Sequence, residues 1–225
     1  MQNEEFINIF KTAFPFWEKL NNEDKKLLIN SSSLKNYKKG ECIHSGSNEC
    51  TGAILVQNGC VRSYILSEDG REITLYRLYK NDICMLSASC VLKAVTFDVF
   101  VDAETECDCI IVSGNALASV TSKNVYAENF ALNIAVERFS EVMWLMQQIL
   151  FMSFDRRLAI FLYDEITRSG SMTVNMTHEQ IAKHTGSARE VVSRMLKYFE
   201  SEKIVRLSRG GVEITDKKKL RSLAG

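Results

Sequence analysis

The sequence predicts an α+β chain: a helical start, an antiparallel β domain, one long helix and a C-terminal winged helix-turn-helix. Three observations carry this. From Leu34 to about Ser113 the apolar residues alternate with period two, the strand period. From Asn124 to Ser153 there is neither glycine nor proline, and apolar residues recur three and four apart. From Thr177 to Glu200 the sequence THEQIAKHTGSAREVVSRMLKYFE reads as two short helices about a glycine turn.

The totals bound what such a chain can be. At 225 residues, with 46% hydrophobic and 25% charged, it has the size and composition of one large or two small globular domains. No apolar run approaches the length that spans a bilayer. The opening residues MQNEEFINIF lack the basic start and apolar core of a signal peptide, so the expected location is the cytoplasm, with no membrane partner. The net charge of zero conceals a split. From Asp155 onward there are 14 Lys and Arg against 9 Asp and Glu, a surplus of +5, and the residues before it carry −5. A basic C-terminal third on an acidic body points to one domain that touches phosphate and one that does not.

In chain order, Phe6, Ile9, Phe10, Ala13, Phe14, Trp17 and Leu20 form an apolar stripe at helical spacing, interrupted at Pro15, the only proline. In the β region, Ile54-Leu55-Val56 runs into Asn58-Gly59, a two-residue hairpin signal, and Cys60 to Leu66 reads as the returning strand. Glu68-Asp69-Gly70 makes the next turn, after which Arg71 to Leu78 alternates. Val99, Val101 and Ala103 alternate again, as do Cys107, Cys109 and Ile111. Short strands at regular spacing predict an antiparallel barrel or sandwich.

In the long helix, Ala135 or Val136, Phe139, Val142 or Met143, Met146, and Ile149 or Leu150 make a seam of the coiled-coil kind, which predicts a homodimer. Asp155 to Arg168 is a further amphipathic helix, ended by Ser169-Gly170-Ser171.

The helix pair has its own signals. Thr177 with Gln180, and Ser187 with Glu190, read as two capping boxes. Ala182, Gly186 and Val192 supply a small residue for close crossing, a turn that tolerates positive φ, and an apolar anchor for the second helix. That helix sets Arg189, Glu190, Ser193, Arg194 and Lys197 toward one side. Val205 and Leu207, Gly210-Gly211, then Val212 and Ile214 form a hairpin that makes the motif winged. Lys217 to Lys219 with Arg221 reads as a solvated basic tail. The expected domains are 1–123, 124–153 and 154–225.

The seven cysteines are odd in number and no CxxC occurs, which argues against a disulfide framework or a zinc site; buried thiols are the plain reading. No nucleophile–base pair or phosphate loop stands out, and three histidines leave few general bases, so the chain is not expected to be an enzyme.

The order of elements resembles the Crp/Fnr family of bacterial transcription regulators over essentially the whole chain. VQNGCVRSYILSEDGREITLYRL resembles the family's cyclic-nucleotide-binding-like effector β-roll, and IAKHTGSAREVVSRMLKYFESEKIV its DNA-binding domain. The resemblance implies a homodimeric, sequence-specific regulator on an inverted repeat of double-stranded DNA, with RNA polymerase as a further partner. It places Arg189, Glu190 and Arg194 at base-reading positions. Arg donates two hydrogen bonds to guanine and Glu accepts from cytosine, so the chemistry agrees. Ser193 matches the Fnr branch and Arg189 the Crp branch, which suggests a half-site with a G-A step. Thr177, His178 and Ser187 stand at helix starts, where backbone N–H groups and hydroxyls hold phosphates.

The sequence also departs from the family. Its cyclic-nucleotide binders carry a Gly-Glu pair followed by Arg-Ser or Arg-Thr. The matching segment, NDICMLSASCVLKAVTFDVFVDAE, has no glycine, no arginine and no glutamate before Glu104. A buried phosphate needs a positive partner, and Lys93 alone covers it poorly. cAMP bound in the familiar way is therefore not expected. No cysteine precedes Cys42, which argues against an N-terminal iron–sulfur cluster. Neither a metal nor a cofactor is assigned. Cys84, Ser87, Ser89 and Cys90 occupy the effector segment, and a small-molecule or thiol-redox signal both remain open there. The competing reading is a ligand-binding module whose winged helix contacts protein only; Arg189 and Arg194 argue against it.

Overall fold

The computed structural model describes residues 2–46, 50–88, 91 and 97–225. Helix α1 (Gln2–Ala13) stops just before Pro15, a 3₁₀ turn follows at Trp17–Lys19, and α2 (Asn22–Asn30) starts under Asn21, whose side chain accepts from the Asp24 N–H at 2.7 Å. The aromatic stripe is buried as its spacing predicts. Phe6, Phe10, Phe14, Trp17 and Leu20 pack with Leu117 and Val120 of α3 (Gly114–Thr121) and with Ala127 and Ala131 of α4 (Val125–Phe151).

Eight strands follow α2: β1 (Ser32–Tyr37), β2 (Cys42–Ser45), β3 (Ala53–Asn58), β4 (Val61–Leu66), β5 (Glu72–Leu78), β6 (Ile83–Cys84), β7 (Phe100–Ala103) and β8 (Cys107–Val112). They form two four-stranded sheets, ordered β1-β8-β3-β6 and β2-β7-β4-β5. Strand β8 explains why the sheets face each other. Cys107, Cys109 and Ile111 point into the core shared with Val61, Tyr76 and Val101 of the second sheet, while Ile110 and Val112 point into the helical core. Two apolar faces on one strand demand a layer on each side.

This arrangement corrects the hairpin expected at Asn58-Gly59. Strand β3 pairs with β8 and β6, whereas β4 pairs with β7, so the turn carries the chain from one sheet to the other. Gly59 has φ +81°, and a Cβ there would stand 2.3 Å from the Glu106 carbonyl oxygen. The same residues therefore serve a corner as well as a hairpin, and only the distant pairing decides. The Glu68-Asp69-Gly70 turn behaves as expected: β4 and β5 are neighbours, and the Ser67 N–H donates to the Arg71 carbonyl at 2.9 Å.

Asn124 caps α4, accepting from the Tyr126 and Ala127 N–H groups at 3.0 and 3.1 Å. The helix then runs 27 residues without a break. The chain divides into two compact units, one of residues 1–66 and 75–142 and one of 67–74 and 143–225. Among the described residues no helix is long and apolar enough to cross a membrane.

In the second unit, α5 (Phe154–Ser169) ends at Gly170, which is left-handed at φ +68°. Then come β9 (Thr173–Val174), α6 (His178–Thr185), α7 (Arg189–Ser201), β10 (Val205–Ser208), β11 (Gly211–Ile214) and α8 (Lys217–Ala224). Their core holds Leu158, Leu162, Ile181, Val192, Leu196, Phe199, Val212 and Ile214. Two elements differ from expectation. The wing is a three-stranded sheet, because β9 pairs with β11, and two residues are too few to show a period. The basic run at Lys217 is the exposed face of α8, capped by Asp216 and anchored by the buried Leu220, instead of a loose tail.

Candidate nucleic-acid interface

Thr177 and Gln180 form the expected capping box: the Thr177 hydroxyl accepts from the Gln180 N–H at 3.2 Å, and the Gln180 side chain accepts from the Thr177 N–H at 2.8 Å. The hydroxyl accepts through a lone pair, so its proton is still free to donate. Gly186 adopts the left-handed turn at φ +60° that closes α6.

The second capping box does not form. Ala188 is the N-cap of α7 and makes no side-chain cap. The reason lies one turn back: the Ser187 N–H is used to close α6, donating to the Ala182 carbonyl at 3.0 Å. That N–H is unavailable to a phosphate, which removes the backbone part of the role expected of Ser187. Glu190 gains by the same fact, since no capping duty holds its carboxylate.

Helix α7 sorts its side chains cleanly. Val192, Leu196 and Phe199 are buried, while Arg189, Glu190, Arg194 and Lys197 are exposed. None of these four enters a hydrogen bond or ion pair among the described residues. Ser193 is half-buried, and its Oγ lies 2.8 Å from Nδ1 of His178, the first residue of α6. Burial pushes the His178 imidazole pKa down, and the nearby charges of Arg189 and Lys197 push it the same way, so the ring is neutral near neutral pH. A cleft of about 380 Å³ opens beside it, lined among others by Thr177, His178, Glu179, Arg189, Ser208 and Gly211. One face of α7, the start of α6 and the turn of the wing thus present cations and hydrogen-bonding groups in the second unit.

The expected effector residues divide. Cys84 is a free, fully buried thiol, 3.9 Å from the Tyr76 hydroxyl. Ser87 is also fully buried, and its hydroxyl is engaged by the Gly52 and Cys84 carbonyls at 2.7 and 3.3 Å. Ser89 and Cys90, like Lys93, lie outside the described residues. Sequence reasoning missed Arg138. It is buried on α4, its Nη1 donates to both Glu141 carboxylate oxygens at 2.7 and 2.8 Å, and its Cζ lies 4.9 Å from the centroid of Tyr76. Its Nε is buried with no hydrogen-bond partner among the described residues. An arginine on an otherwise apolar helix face is the only sequence sign of this. Cys107 and Cys109 share a strand face as expected, with sulfurs 3.9 Å apart, and burial raises both thiols' pKa values. Among the described residues no cluster of His, Cys, Asp and Glu could hold a metal ion. Cys50 is disulfide-bonded, a bond the cysteine count did not suggest.

Residues 156–223 match the model of the Crp-like helix-turn-helix domain, and residues 34–124 that of the cyclic nucleotide-binding domain. A transcriptional regulator of the Crp/Fnr family from Eubacterium rectale is 43% identical in sequence, over 95% of this chain and 99% of that one, with a TM-score of 0.91. The chain belongs to the Crp/Fnr family. It is a transcription regulator of that type, with a cyclic-nucleotide-binding domain followed by a helix-turn-helix domain. More distant Crp/Fnr-like folds include the c-di-GMP-responsive regulator CLP of Xanthomonas campestris, 15% identical over 87% of this chain and 100% of that one, TM-score 0.72. FixK2 of Bradyrhizobium japonicum is 19% identical over 86% and 98%, TM-score 0.68. At these identities the likeness is one of fold. None of the curated proteins matches the chain.

Proposed function

We propose that this Crp/Fnr regulator is a homodimer that reads an inverted repeat in double-stranded DNA, under the control of a signal other than cAMP sensed in its β domain. The exposed face of α7 carries the reading. Two guanidiniums and a carboxylate, all without a hydrogen-bond or ion-pair partner among the described residues, sit on a helix whose opposite face is locked into a core. Arg189 and Arg194 suit guanine O6 and N7, and Glu190 suits cytosine N4. Thr177 and His178 lie at the N-terminus of α6, where a phosphate is favoured.

The dimer rests on α4. Leu132, Val136, Phe139, Met143, Met146 and Leu150 are all exposed, by 38% to 65%. Their spacing of four, three, four, three and four is the heptad seam. Of the alternatives in the sequence, Ala135, Val142 and Ile149 are each half-buried within the protomer, which leaves Val136, Met143 and Leu150 for the partner. A second copy covers the seam and supplies the second half-site reader.

Arg138 supports the sensing reading. It belongs to the helix that carries the seam, yet it stacks on Tyr76 of the β domain, which in turn meets Cys84. A signal that shifts Tyr76 therefore acts on α4 directly. The missing Gly-Glu and Arg-Ser pairs argue against cAMP. The protein is expected in the cytoplasm, with RNA polymerase as its second macromolecular partner.

Selection from a randomised duplex library tests the proposal. An enriched inverted repeat is expected; enrichment of no motif, or of an unpaired half-site, contradicts it.

A further inference from the structure

At the start of α6, His178 Nδ1 lies 2.8 Å from Oγ of Ser193 on the reading face of α7. Ser193 stands one residue before Arg194, four after Arg189 and four before Lys197. A serine hydroxyl has one proton and two lone pairs, and what it offers a base depends on which of these His178 occupies. If Nδ1 accepts, Ser193 gives its proton to the imidazole and can only accept from DNA. If Nδ1 carries a proton, it donates to Ser193, and the serine proton is released to donate.

We propose that His178 sets the hydrogen-bond polarity of Ser193, so that Ser193 acts on the base edge as an acceptor for adenine N6 or cytosine N4. This rests on the reading of α7 as the DNA-contacting helix. A phosphate in the cleft beside α6 accepts a hydrogen bond from the Nε2–H of the neutral ring, which keeps the proton on Nε2 and fixes Nδ1 as the acceptor. Ser193 is then an acceptor. Protonation of His178 makes both ring nitrogens donors, reverses the bond, and turns Ser193 toward acceptors such as thymine O4 or guanine O6. The charges acting on the ring are Arg189 and Lys197 on α7; Glu179 of α6 lines the same cleft, and the wing residues Ser208, Gly210 and Gly211 on its rim are uncharged. With burial, the two cations hold the ring neutral in the free protein. The phosphate charge works against them, so the neutral-to-charged change falls closer to neutrality in the complex.

The test is binding-site selection with the full-length protein at about pH 8 and about pH 5, well above and well below the ordinary imidazole value of about 6.5. Wild type, Ser193→Ala, His178→Phe and Arg194→Ala are compared. Ser193→Ala and His178→Phe should each weaken the preference at one and the same symmetry-related base pair, by roughly tenfold, the worth of one hydrogen bond. Wild type should prefer adenine or cytosine there at the higher pH and lose that preference at the lower one. Ser193→Ala should show no such pH change. A loss of affinity spread evenly over all sequences in His178→Phe, or a wild-type motif identical at both pH values, overturns the proposal. The Arg194→Ala arm separates the two claims. If its motif changes while the Ser193 position is indifferent to His178, the inference fails and the DNA-reading proposal stands. If no motif is enriched at all, the underlying reading fails.

Discussion

A Cβ added to Gly186 would stand 2.9 Å from Cδ1 of Ile149. The turn between the two helices of the helix-turn-helix is thus closed against the last turn of α4, in the unit that Gly186 and Ile149 share. Gly186→Ala carries a left-handed backbone cost of about 1–2 kcal/mol, while Ile149 can yield because its nearest atom is the end of a flexible side chain. Gly59→Ala meets backbone, with the Glu106 carbonyl oxygen 2.3 Å away. It adds an overpacking cost of about 1–3 kcal/mol to the same backbone term. Urea unfolding should therefore rank Gly59→Ala as clearly the more damaging of the two. The reverse ranking removes the sheet-to-sheet corner as the reason for Gly59.

The α4 seam makes a second prediction. Phe139 is 65% exposed in the protomer, so Phe139→Asp should leave the fold intact. In a paired seam it places two carboxylates against each other away from water, at a cost of several kcal/mol per ion. Light scattering should show wild type as a dimer and Phe139→Asp as a monomer with unchanged circular dichroism. A variant that stays dimeric at micromolar concentration places the interface elsewhere.

The thiols should divide by burial. Of the free cysteines among the described residues, Cys42 is exposed and Cys60, Cys84, Cys107 and Cys109 are buried. Burial raises the pKa of Cys60 to about 12 and that of Cys109 still further, so the reactive thiolate is scarce as well as hidden. Iodoacetamide followed by peptide mass spectrometry should label Cys42 first. Rapid labelling of Cys84 in the folded protein revives it as a thiol sensor.

Two histidines give the pH dependence one sign. Burial lowers the pKa of His44, opposed by Asp98, and burial with Arg189 and Lys197 lowers that of His178. A depressed histidine pKa means that the unfolded chain takes up the proton first. The stability each group contributes is present above the unfolded value of about 6.5 and is lost as pH falls through the folded one. The melting temperature should therefore fall on going from about pH 7.5 to about pH 5.5, on either side of that value, and fall less in a His44→Asn, His178→Asn double variant. An equal fall in both proteins assigns the effect to carboxylates.

What could be read in the sequence was set by how local the deciding contacts are. The Thr177–Gln180 box, the Gly186 turn and the aromatic stripe from Phe6 to Leu20 depend on neighbours a few residues away, and they fold as read. The Asn58-Gly59 turn was misread because a hairpin and a corner use the same residues, and the choice lies with β8, some fifty positions on. The Ser187–Glu190 box failed because one N–H cannot serve two acceptors well, and closing α6 took it. The sequence left the apolar stripe of α4 open between Ala135 and Val136, and burial against the protomer's own core is what leaves Val136 the exposed one. Arg138 and the His178–Ser193 contact depend on tertiary packing alone, which no spacing reveals.

If α7 reads bases, Arg194→Ala must change which sequences the protein binds. Fluorescence anisotropy on the selected inverted repeat should show a loss of about 1–3 kcal/mol per half-site, with preference relaxed at one symmetry-related base pair. Wild-type affinity should also fall steeply with salt, as phosphate contacts require. An Arg194→Ala protein that keeps both the affinity and the sequence preference of wild type would mean that α7 does not read bases.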